Sequence, residues 1–200
     1  MISYYFFTFN KFYVIINSGN SLGGDSMFQV GDKVLYPMYG AGIIDSIEEK
    51  EVLGVKGQYY LLNIPHVNME IMIPVGKAED LGIRQVVNSE VVDDVLRFFF
   101  EGDTDPVMFE SNNRFYRDIN KKKMKSGDIY QESEIIRDLT RKSNLHKLGM
   151  EDNNMLHTAL QLVTSEIVQV KGVEMEKAVE MLQSVINQAK DEKEKQEALG

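Results

Sequence analysis

Residues 111–125 read Ser-Asn-Asn-Arg-Phe-Tyr-Arg-Asp-Ile-Asn-Lys-Lys-Lys-Met-Lys, a stretch in which cations and aromatic rings are interleaved. Arg114, Arg117, Lys121, Lys122, Lys123 and Lys125 are the side chains that reach phosphates. Phe115 or Tyr116 has the flat apolar ring that wedges into a base step or stacks on a base, and Asn113 has an amide that reads a groove edge. The chemistry on offer is nucleic-acid binding. The competing reading is that the cations form a solvated helix face and the two rings belong to a core. A weaker second cluster follows at Arg137, Arg141, Lys142 and Lys147.

The charge distribution supports that location. The whole chain carries −9, which argues against wholesale wrapping of nucleic acid, but the average hides a local field. Residues 27–110 hold 6 Lys+Arg against 15 Asp+Glu, residues 111–149 hold 10 against 5, and residues 150–200 hold 5 against 10. A basic island lies between two acidic stretches, and any phosphate contact should come from it.

Other chemistries find little support. With no cysteine there are no disulfides, thiolate metal sites or thiol nucleophiles, as suits a reducing cytosol. His66, His146 and His157 stand in no ligand spacing, so no metal is expected. There is no Gly-rich phosphate loop or nucleophile elbow, and the consecutive pairs Asp93/Asp94 and Glu48/Glu49 diverge rather than converge on a substrate. The chain is expected to be no enzyme and to use no cofactor or small-molecule substrate.

Those side chains need a scaffold, and the sequence divides into four parts. Residues 1–26 hold seven of the nineteen Phe and Tyr, followed by a Gly/Ser/Asn run. A lone Lys11 interrupts the aromatic stretch, which fits neither a secretory signal nor a span of about twenty apolar residues. Gly23-Gly24 can be encoded as a ribosome-binding sequence before Met27. Natural translation is therefore expected to start at Met27, with the leader non-native or a poorly ordered arm.

Residues 27–86 alternate in short runs between turn signals: 28–30, 33–37, 43–47, 58–64 and 69–74, with a charged hairpin region at 48–56. Five short strands predict a small SH3- or Tudor-like antiparallel β-barrel. Residues 87–189 switch to helical spacing, with helices expected at about 89–101, 112–125, 128–148 (closed by Gly149), 151–170 (closed by Gly172) and 174–189. They make a compact all-α bundle, in which at least one ring of Phe98-Phe99-Phe100 should pack between the domains. Residues 190–200 should fray as a charged tail. The fold class is α+β.

Within the strand-rich block, Val30-Gly31-Asp32-Lys33-Val34-Leu35-Tyr36-Pro37, then Gly40-Ala41-Gly42-Ile43-Ile44, then Ile73-Pro74 and Ala78-Glu79-Asp80-Leu81-Gly82-Ile83-Arg84 resemble the CarD family of bacterial transcription regulators. Its N-terminal module is shared with the RNA-polymerase-interacting domain of transcription-repair coupling factors. The resemblance extends more loosely through the helices to about residue 189. It implies a cytoplasmic, nucleoid-associated protein whose partners are the RNA polymerase β subunit and promoter DNA at the upstream edge of the bubble, with no membrane role. It implies docking by an exposed edge strand that extends a polymerase sheet, here Met69, Ile71, Met72, Ile73 and Pro74, helped by Lys50 on the hairpin. It also implies that Asn113, Arg114, Phe115, Tyr116, Arg117, Lys121, Lys122, Lys123 and Arg141 contact DNA.

Two departures stand out. The chain has no Trp, whereas many relatives place a wedge Trp just before the Arg-Tyr-Arg-like stretch, and Met72 stands where a basic residue is common. The alternative reading is a Tudor-like peptide or nucleic-acid module unconnected with polymerase.

Overall fold

The computed structural model describes residues 2–8, 11–17, 27–52, 54–99, 101–109 and 114–199, in two compact units, 1–86 and 87–200. In the first unit five antiparallel strands follow one another: β3 Lys33–Tyr36, β4 Gly40–Val52, β5 Val55–Ile64, β6 Met69–Pro74 and β7 Arg84–Gln85. Two further strands precede them, β1 Ile2–Thr8 and β2 Lys11–Asn17, and the sheet order is β1-β2-β6-β5-β4-β3-β7. β2 pairs with β6 in parallel, with Phe12, Tyr13, Val14 and Ile15 opposite Met69, Glu70, Ile71 and Met72.

The leader thus differs from the loose arm expected of it. Its aromatic and β-branched residues suit a pleated strand, and they pair with each other from Ile2↔Asn17 to Thr8↔Lys11. The charged segment 48–56 is a hairpin, as expected: β4 runs to Val52 and β5 starts at Val55, so it is ladder almost to its tip.

Two local features of β4 set the sheet's geometry. Gly42 lies against the backbone of β5, where a Cβ would stand 2.2 Å from the carbonyl oxygen of Asn63, so only glycine fits. A bulge at Asp45 then shifts the register from Ile44↔Leu62 to Ser46↔Leu61. Ile44 and Ile47, three residues apart, therefore both face the barrel core, opposite Leu62 and Tyr60. Phe28, read from sequence as part of a strand, is instead a buried plug outside any strand. Its N–H donates to the Tyr60 hydroxyl at 3.0 Å, and the two rings meet edge-on with centroids 5.8 Å apart.

In the second unit the helices are α1 Ser89–Phe98, α2 Arg114–Ser126, α3 Ile129–Leu145, α4 Met150–Lys171 and α5 Met175–Leu199. Asn88 caps α1 by accepting from the Val91 N–H, and Asp128 caps α3 by accepting from the Tyr130 N–H. Gly172 ends α4 in the left-handed region at φ 64°, as the sequence predicts. Gly149 does not close α3. That helix stops at Leu145 with His146 extended, and Gly149, at φ −70°, is the N-cap residue of α4. Leu145 is accordingly exposed, while Leu148 beyond the helix is buried. α5 continues through the segment 190–199 in which fraying is expected.

Ile135, Ile136 and Leu139 of α3 share a core with Leu162, Val163 and Ile167 of α4. Phe99 belongs to that helical core, and the rings of residues 98 and 100 lie outside the described residues.

Candidate functional site

Side-chain parity divides the six barrel residues nominated from sequence. On β6, Ile71 and Ile73 are fully buried in the barrel core and Met69 packs against it. Glu70, Met72 and Pro74 point to the other face, because successive side chains on a strand alternate. Their cross-strand neighbours on that face are Asn63, Leu61 and Tyr59. The bulge at Asp45 brings Ser46, Glu48 and Lys50 onto the same face, opposite Leu61, Tyr59 and Gly57.

The outward face thus combines Lys50, Met72 and Pro74 with three residues the sequence reading missed, Tyr59, Leu61 and Glu70. Ile71 and Ile73 contribute backbone and core packing there, not side-chain contact. Alternation counted from Tyr60 would have found this, had the bulge been visible. Along the face Ser46 Oγ donates to Glu48 at 2.9 Å, and Lys50 Nζ lies 2.6 Å from the same carboxylate. These bonds, Lys50 first, hold the Glu48 carboxyl below its ordinary pKa.

The helical unit sorts the other nominated residues just as sharply. At 100° per residue, Arg114, Phe115, Asp118, Lys121, Lys122 and Lys125 fall within one arc of α2, and each is exposed. Four cations against one carboxylate leave this face strongly positive. Arg114 lies 3.8 Å from Asp118, and Lys121, Lys122 and Lys125 make no ion pair among the described residues. The Phe115 side of this arc adjoins Lys122, and Phe115 is 67% exposed.

Tyr116 turns inward. It packs against the helical core, its hydroxyl donates to Asp105, and its ring meets Phe115 edge-on at 5.5 Å. That hydroxyl, together with the Val107 N–H, holds the Asp105 carboxyl below its ordinary range. Arg117 pairs with Glu151 of α4 at 2.7 Å, and Lys123 with Glu134 of α3 at 2.9 Å. Asn113 lies outside the described residues.

The second basic cluster is not a surface patch. Arg141 donates to the Gly102 carbonyl at 2.8 Å and to Thr104 Oγ1 at 3.0 Å. Arg137 donates to the Glu101 carbonyl at 2.5 Å and to Asp138 at 2.9 Å, and Thr104 donates to Asp138 at 2.6 Å. The two guanidiniums therefore clasp the turn after α1, and burial, ahead of the neighbouring Arg137, lowers the Arg141 pKa. Gly102 is required there: its φ is 87°, and a Cβ would stand 2.9 Å from the Arg137 guanidinium. Lys142 forms a buried pair with Asp152 at 3.0 Å, tying α3 to α4. Lys147 alone of the four is exposed.

Among the described residues no group of His, Asp and Glu is arranged to hold a metal, and no helix is long and apolar enough to cross a membrane.

Residues 28–87 match the family described as the CarD-like/TRCF RID domain, and residues 94–183 match the CarD C-terminal domain. Over 147 residues the chain is 37% identical to the putative transcription factor YdeB of Bacillus subtilis (strain 168), covering 74% of this chain and 94% of that relative. It is also similar to the solution structure of the 72-residue N-terminal domain of Myxococcus xanthus CarD. There the identity is 27% over 35% of this chain and 93% of that one, with a TM-score of 0.27. The chain belongs to the CarD family of transcription regulators.

Proposed function

We propose that this chain is a non-enzymatic cytoplasmic regulator that docks on the RNA polymerase β subunit through β6 and its outward face, and stabilises the promoter open complex through α2. The observation that carries the DNA half is the solvent face of α2, where Arg114, Lys121, Lys122 and Lys125 surround a largely exposed phenylalanine. Such cations release counterions from the phosphate backbone at little structural cost. An apolar ring standing in water at the edge of a cationic face has the form of a base-step wedge, and Phe115 takes that role in a chain that has no Trp.

Docking raises the effective concentration of this weak face at the promoter fork, so modest contacts suffice. The docking half draws on the family's polymerase-interacting domain and on a face uniting Lys50 with Leu61, Met72 and Pro74.

The test is open-complex lifetime with the triple variant Lys121→Gln, Lys122→Gln, Lys125→Gln. Lifetime should shorten while polymerase binding is retained. The slope of log affinity against log salt for duplex DNA should fall by about 0.9 for each phosphate that is no longer neutralised. An unchanged lifetime and slope would refute the DNA role. Loss of polymerase binding in Met72→Glu, with the barrel still folded, tests the docking role separately. Ile71 is the wrong probe, because its side chain is core.

A further inference from the structure

The strand proposed to extend a polymerase sheet is not at an edge. β6 has β5 along one side over Met69–Pro74 and β2 along the other over Met69–Met72. The sheet continues outward through β2 to β1, which takes over as the terminal strand. Consistent with a covered strand, the outward-pointing Glu70 and Met72 are buried, 7% and 9% exposed, although they point away from the cluster formed by Ile71 and Ile73. Strand addition requires a row of unpaired backbone N–H and C=O groups, and one side of a strand can bond only one neighbour at a time.

We propose that the β1–β2 hairpin is an intramolecular cap on the docking edge, which must detach before RNA polymerase can add to β6. This rests on the docking reading above and deepens it into a competition between two strands for one row of hydrogen bonds.

The geometry makes the cap removable. It meets β6 over four residue pairs in parallel register, a pairing slightly weaker per residue than an antiparallel one. Among the described residues β1 pairs only with β2, so it joins the sheet through that strand. Among the residues whose burial is described, the barrel core is built by the chain from Phe28 onward. A short terminal hairpin held by one ladder belongs to the low-stability end of local opening. Apparent polymerase affinity is then the intrinsic affinity multiplied by the fraction of molecules with β6 uncovered. A chain starting at Met27 would carry β6 permanently uncovered, so the two products would differ in docking without differing in any docking residue.

The experiment compares the full chain with its double variant Tyr13→Pro, Val14→Pro. Consecutive prolines remove one N–H on each side of β2, so the ladder to β6 fails whichever residue donates. Two readouts are taken: hydrogen exchange at the amides of residues 69–72 in the free protein, and affinity for the isolated polymerase β subunit. The cap predicts that exchange at a subset of these amides rises in the variant while residues 59–64 stay protected. It also predicts that affinity tightens by about tenfold or more, as expected if the edge is uncovered in a tenth or less of molecules.

Equal exchange in both proteins overturns the cap. Faster exchange with equal affinity overturns its inhibitory role, because the polymerase would then be using another surface, such as the new terminal strand β1. If neither protein binds the β subunit, the docking reading fails and the inhibitory role fails with it, while exchange still reports whether the hairpin pairs.

Discussion

The two basic clusters of the helical unit look alike in sequence and serve opposite ends. On α2 the cations Arg114, Lys121, Lys122 and Lys125 stand in solvent on one arc. On α3 the cations Arg137, Arg141 and Lys142 are turned against carbonyls, a threonine and two carboxylates, closing a turn and joining two helices. Charge alone does not distinguish a group available to phosphate from one already engaged by the fold. What distinguishes them is the phase of each cation against its helix's apolar stripe, and whether a partner returns to it from elsewhere in the chain. The same contrast recurs between adjacent rings: Tyr116 is held by Asp105 and the core, while Phe115 stands largely in solvent.

The contrast can be broken first at its strongest point. Asp152→Ala leaves the Lys142 ammonium buried without its carboxylate, and should cost about 3–5 kcal/mol in denaturant unfolding. DNA affinity of the fraction still folded should be unchanged.

Arg141→Gln comes next. It removes charge-assisted bonds to Gly102 and Thr104, for a loss of about 1.5–3 kcal/mol by thermal or chemical denaturation. Its salt dependence of DNA binding should match that of the unaltered protein. A reduced salt slope would instead return Arg141 to the DNA surface.

Phe115→Ala should leave stability within about 0.5 kcal/mol, as surface substitutions do, yet shorten the open-complex lifetime. The reverse pattern would make the ring structural.

The smallest effect concerns Tyr116. Asp105 titrates below its ordinary 3.8, so its hydrogen bonds stabilise the fold above that value and cease to do so as the pH falls through the lowered one. In Tyr116→Phe the Asp105 titration followed by NMR should move back up toward the ordinary range. No movement would mean that the Val107 N–H alone holds the carboxylate.

Much of the fold is legible in the residues themselves. The strand-rich block and the five helices follow from alternation and from periods near 3.6, because burial of one face imposes them. Gly172 announces its left-handed cap through its position after a long stripe. Gly149 misleads, since a glycine between two helices serves as readily before the second as after the first, and only its φ decides. The nominated β6 residues share one strand but not one face. In Met69–Pro74 a single charge, Glu70, marks the outward side, and Met72 and Pro74 beside it are as apolar as the residues of the core side. The engagement of Arg141 by the turn after α1 is not legible, because its partners there, a carbonyl and a threonine, leave no mark in the spacing of side chains. The pairing of the aromatic leader with β6 is hidden for a related reason: backbone ladders form between segments far apart, and composition does not say which.

The bulge at Asp45 acts as a phase shifter on a strand that serves two surfaces. Inboard of it, β4 counts in step with the barrel, and outboard it counts one residue out. That is why Lys50 looks the same way as Met72 rather than into the core. Deleting this single exposed aspartate would leave every strand and every outward-face residue in the chain, yet rotate the far half of the hairpin by half a turn. Ile47 would be presented to water and Lys50 to the interior side. The geometry of the outward face is thus encoded less in the identity of its residues than in an odd or even count along one strand.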